Sequence, residues 1–95
     1  MSQETETLNR GQFKIEFTND TGKQATGLKV EFKQGCTPQR GSNRLFGNFD
    51  QAAGVNGSNE HEFTDGTVND GDSIDINFNT TSPKLTVKKE TWLFN

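Results

Sequence analysis

The stretch FTDGTVNDGDSIDINF, residues 63–78, sets aspartates at 65, 70, 72 and 75 among glycines at 66 and 71. It has two readings, a calcium loop or a turn between strands. Calcium needs about six to eight converging oxygens, and its strongest short signature is D-x-D-x-D-G closed by a distant Glu. The spacing of Asp65, Asn69, Asp70, Asp72 and Asp75 does not match it, and the nonapeptide Gly-Asp repeat of calcium-bound β-rolls is absent. Asp75 alternates with Ile74 and Ile76, which assigns it to the outer face of a strand and away from a compact loop. The turn reading uses every residue. Phe63 ends a strand, Asp65-Gly66 turns, Val68 dips to the core, and Asn69-Asp70-Gly71 turns tightly with Gly71 free to take positive φ. Ser73 then launches a strand with Ile74, Ile76 and Phe78 inward. No cofactor or metal is therefore expected; a weak surface calcium site near Asp65, Asp70 and Asp72 is the reading set aside.

Working outward, Phe13-Lys14-Ile15-Glu16-Phe17 and Leu28-Lys29-Val30-Glu31-Phe32 alternate strictly, each with its odd or even apolar set on one face. Between them, residues 18–22 (TNDTG) carry turn chemistry. Residues 34–59 are glycine-rich, and a loop that long without structure is unusual, so short strands are expected near 44–49 and 60–63. At the other end, Leu85 and Val87 are odd-numbered whereas Trp92 and Phe94 are even. Keeping them all inward requires a bulge or break near Lys89 and Glu90. No window has helical periodicity. The expected fold is all-β, a small antiparallel β-sandwich occupying residues 12–95 as a single domain. Residues 1–11, polar throughout, read as a flexible N-terminal lead-in.

The chain has 95 residues and only 27% hydrophobic side chains, close to the composition of disordered chains. A net charge of −3 and the ordered clustering of its eight Phe favour a thin aromatic core instead. Cys36 is the only cysteine, which excludes an intrachain disulfide. No apolar run approaches a membrane span, so no membrane insertion is expected. MSQETETLNRG lacks the basic and apolar regions of a signal peptide. Residues 50–75 carry acidic side chains and no Lys or Arg, while Lys84, Lys88 and Lys89 make the last part basic. That asymmetry fits solvated faces better than a nucleic-acid site, which calls for net positive charge.

Chemistry is sparse. His61 is flanked by Glu60 and Glu62, which point away from it in a strand, and it reads as a surface histidine. Nothing in the sequence brings Cys36 to His61 as a nucleophile–base pair. No phosphate loop or nucleophile elbow occurs, and an enzyme is not expected. The sequons at Asn19, Asn56 and Asn79 are accounted for by the abundance of Asn, Ser and Thr. Trp92 reads as a core residue closing the last strand rather than a sugar-stacking platform.

FTNDTGKQATGLKVEF and DGTVNDGDSIDINF, through Asn19, Thr21, Gly22, Ala25, Thr26, Gly71 and Ser73, resemble immunoglobulin-like repeat modules of bacterial and archaeal cell-surface proteins. The likeness covers about a third of the chain; the glycine-rich middle and the long segment 85–94 depart from it. The resemblance implies an immunoglobulin-like sandwich with a structural, adhesive or binding role outside the cell, with protein or glycan partners. Alternatives are a small glycan- or ligand-binding sandwich and a phage or viral assembly protein. Loops presented by a rigid sandwich carry binding, so the expected binding residues are Arg40, Arg44, Phe46 and Phe49.

Overall fold

The alternation of apolar and polar residues resolves into two antiparallel sheets in the computed structural model, which describes residues 3–39, 48–49 and 57–94. The strands are β1 (Gln3–Asn9), β2 (Gln12–Thr18), β3 (Gly27–Phe32), β4 (Thr37–Pro38), β5 (Asn48–Phe49), β6 (Glu60–Thr64), β7 (Ser73–Asn79) and β8 (Val87–Leu93). One sheet has the order β1-β2-β7-β4 and the other β5-β6-β3-β8. Phe13, Ile15 and Phe17 of β2, Leu28, Val30 and Phe32 of β3, and Ile74, Ile76 and Phe78 of β7 all face a single buried core. Lys29, Glu31 and Asp75 occupy the opposite parity and face outward or lie partly exposed. The architecture is an all-β sandwich.

Phe78 lies between the strands of the second sheet, with its ring centroid 4.9 Å from Phe32, 6.0 Å from His61 and 6.4 Å from Phe63. Cys36, entering β4, meets His61 on β6, so β4 stacks over the β5–β6 side. It follows that β1 and β8, the other two edges, share the opposite flank. The connections 19–26 and 65–72 join the sheets at one pole; the turns after β3 and β7 lie at the other. Gln3 and Leu93 are both at the first pole.

That first pole is built around Asn19. Asn19 is fully buried, and every polar atom of its side chain is used. Its Nδ2 donates to the carbonyls of Lys23 (2.7 Å) and Val68 (2.8 Å), and its Oδ1 accepts from Thr21 N (3.1 Å) and Thr21 Oγ1 (2.6 Å). The backbone joins in: Asn19 N donates to Asp72 O at 2.9 Å and Gly71 N to Asn19 O at 2.6 Å. Ala25 and Val68 exchange hydrogen bonds as a lone bridge, both buried. Asp72 N donates to Asn69 O at 3.0 Å, closing a turn whose Gly71 has φ +88°, the value a type II turn places at its third residue. At the Asp65-Gly66 turn positive φ falls on Asp65 (63°), which aspartate tolerates. The turn reading of residues 63–72 holds. Asn19 also closes its own sequon, since its amide donors are spent on carbonyls in the core.

Several expectations are corrected. Residues 3–9, read as a lead-in, form β1: their polarity reflects an edge strand wet on both faces rather than an absence of structure. The bulge expected near Lys89 and Glu90 is present, at the adjacent Lys88. Glu31 pairs with Lys89 and Phe32 with Val87, leaving Lys88 as the extra residue of a bulge. Phe94, expected inward, lies past the strand at 45% exposure, with Lys23 Nζ 5.9 Å from its ring centroid. Of the strand expected near 44–49, Asn48–Phe49 pairs with Thr64 and Phe63; residues 44–47 lie outside the described residues.

Candidate functional site

The buried chemistry of this chain is concentrated where β6 meets the entry to β4. β6 alternates Glu60 out, His61 in, Glu62 out, Phe63 in, with His61 opposite Val30 on β3. His61 is thus a core residue, 1% exposed, and not the surface histidine expected from its acidic neighbours. Its parity with Phe63 was the available signal: the strand that buries Phe63 buries His61. The ring sits 5.9 Å from Phe32 in an edge arrangement. On the other side, Cys36 is also 1% exposed, held by its amide donating to Ser58 O at 2.9 Å.

Cys36 Sγ and His61 Nε2 are 3.3 Å apart, so the two side chains do meet, although no motif or spacing brings them together. Its electrostatics suppress nucleophilic chemistry. Burial pushes the Cys36 thiol up to about 12 and pushes the His61 imidazole down, with the backbone of Ser58 and Cys36 and the charge of Glu60 opposing the latter. Both groups are neutral at pH 7, whereas an activated cysteine needs its thiolate stabilised. Among the described residues no side chain bonds His61 Nδ1, whereas a catalytic base is held by a third side chain.

Next to this pair lies a cleft of about 370 Å³ lined by Gln34, Gly35, Thr37, Asn79, Thr80 and neighbouring residues. Its walls tie the second pole together. Thr80 Oγ1 donates to Gly35 O (2.7 Å), Gly57 N to Thr37 Oγ1 (2.9 Å) and Thr86 N to Gln34 Oε1 (2.7 Å). Gly35 approaches the carbonyl of Gly57 so closely that a Cβ would collide with it. Among the described residues the lining is made of small and uncharged side chains and carries no aromatic ring, whereas most small-ligand pockets are lined by hydrophobic and aromatic side chains.

The cleft lining and the expected binding residues are separate sets among the described residues only as far as Phe49 can be followed. Arg40, Arg44 and Phe46 lie outside the described residues, and Phe49 is placed only by its backbone, paired with Phe63 at the β5 edge. On either side of β5, the described residues stop at Gln39, whose N donates to Asn77 O, and resume at Gly57, whose N donates to Thr37 Oγ1. Trp92 is buried at 7% exposure, with Nε1 donating to Glu90 Oε2 at 2.8 Å, and so closes the core rather than presenting a stacking face. The aspartates of residues 63–78 diverge: Asp70 Oδ1 accepts from Gly22 N at 2.8 Å, and Asp75 stands on the outer face opposite Glu16. Among the described residues no group of three or more His, Cys, Asp or Glu is placed to hold a metal ion, and no helix is long and apolar enough to cross a membrane. Comparison of the chain with family models, curated proteins and solved structures gave no match.

Proposed function

We propose that this chain is a non-catalytic immunoglobulin-like module with a structural, adhesive or binding role, acting at a cell surface on a protein or glycan partner. The observation that carries the non-catalytic part is the state of the Cys36–His61 pair: the thiol and imidazole of this chain sit neutral inside the aromatic core. Strand order supports the immunoglobulin-like part. The order β1-β2-β7-β4 corresponds to A-B-E-D of a constant-type sandwich, and the β3–β8 pair to C–F. Two differences stand beside that likeness. β5 and β6 extend the second sheet past β3, and among the described residues β8 is the edge of that sheet on the side where G lies in the immunoglobulin order. Binding is assigned to the segment carrying Arg40, Arg44, Phe46 and Phe49, between β4 and β6.

The test is thiol reactivity in the native state. A buried structural cysteine is inert, so Cys36 should react with an aromatic disulfide reagent only at the rate of unfolding and rapidly in denaturant. Fast reaction of the folded protein, with a pH profile set by His61, would sink the non-catalytic reading.

A further inference from the structure

Among the described residues β1 and β8 each pair on one side only, with β2 and β3, and share a flank of the sandwich. An edge strand exposes a row of unpaired amides and carbonyls that can template a further strand. Both edges are irregular near the same pole. β1 shifts register between Thr7 and Asn9, and β8 bulges at Lys88, leaving residues 3–7 and 89–93 as matched regular stretches. Thr5 and Thr7 lie opposite Ile15 and Phe13, so they point to the inner side, yet both are exposed. β1 therefore overhangs the second sheet, and nothing among the described residues lies beneath it.

The two edges differ in charge. β1 carries Glu4 and Glu6 and no cation, with Glu6 opposite Lys14 on β2, whereas β8 carries Lys88 and Lys89 and a single acid, Glu90, on its inner parity. Glu4 stands opposite Glu16, and Glu16 opposite Asp75, so three carboxylates lie abreast on the outer face of the first sheet. Like charges directly opposite each other on a sheet are unfavourable. Lys88 is spoken for by Glu31 at 3.9 Å; Lys89 sits on the outer face of β8, across from Glu31.

Two symmetric ways exist to join such a flank to its copy. A two-fold axis running through both layers pairs β1 with β1 and β8 with β8, setting Glu4 and Glu6 against their equivalents. An axis parallel to the strands exchanges the layers. Because β1 and β8 run in opposite directions, it pairs β1 of each copy antiparallel with β8 of the other, twice. We infer that this chain forms a two-fold dimer of the second kind, with β1 of each copy added to β8 of its partner. Both sheets then continue across the interface, Glu4 and Glu6 come alongside Lys89, and the overhanging inner face of β1 is covered. The interface is isologous and closes at two copies. It follows from strand direction and charge alone and is independent of the immunoglobulin-like reading.

Sedimentation of the full chain over a range of concentrations, at low and high salt, tests it. The wild type should be a dimer at low salt and dissociate more readily at high salt. Glu4→Lys with Glu6→Lys should weaken association by about tenfold or more, and Lys89→Glu should do the same. The triple variant, with both edges reversed, should regain it. Thermal melts establish that each variant is folded, since all three positions are on exposed strand faces. A wild type that stays monomeric at low salt would overturn the pairing. So would a Glu4→Lys/Glu6→Lys variant that dimerises like wild type, the result expected of β1 against β1, or a triple variant that stays apart.

Discussion

His61 and Cys36 make the stability of this domain depend on pH from both sides. The folded state keeps His61 neutral with its pKa lowered from 6.5, so only the unfolded chain takes up a proton as pH falls through that value. Stability is therefore lost on the acid side below about 6.5. Cys36 runs the other way: its folded pKa is raised from 9.0 to about 12, so the unfolded chain alone ionises first, and stability falls as pH rises between those values. Denaturant midpoints measured across this range should form a plateau from about pH 7 to pH 9. His61→Gln should flatten the limb between pH 7 and pH 5, and Cys36→Ala the alkaline limb. Slopes unchanged in both variants would mean that neither group is held neutral by burial.

At the scale of elements, the turns at the first pole depend on Asn19 more than on any aspartate. Asn19→Ala would remove four hydrogen bonds at once, leaving Val68 O with Ala25 N alone, Lys23 O with Thr21 Oγ1 alone and Thr21 N without its side-chain acceptor, at a cost of about 2 kcal/mol or more in thermal or denaturant unfolding. Asp70→Asn keeps an oxygen for Gly22 N and should cost little, and a chelator should leave the melting temperature of both proteins unchanged. A chelator-sensitive melt, abolished by Asp70→Asn, would restore the calcium reading. Much of this was legible beforehand. The alternation in β2, β3 and β7 and the turn chemistry at Asn69-Asp70-Gly71 are local signals, and they survive folding. What could not be read are the features decided by distant neighbours. QETETLN has no apolar face because an edge strand on an overhang has nothing to bury. His61 looks like a surface residue until the parity of Phe63 is extended to it, and its approach to Cys36 depends on a crossover between sheets.

For the whole molecule, the core is a thin layer of rings. Phe32 is fully buried between Phe78 and His61, and Phe32→Ala should cost about 3–5 kcal/mol. Lys29→Ala, on the far side of the same strand with only an exposed bridge to Glu60 (2.8 Å), should hardly move the melt. An equal response from the two would refute the assignment of inner and outer faces. Gln3 and Leu93 stand at one pole, at the outer edges of two different sheets. Tension applied through those two points would not drag strands lengthwise past one another. It would peel β1 from β2 and β8 from β3, loading the ladder one hydrogen bond at a time, as a zip opens. A domain held in this way yields at low force.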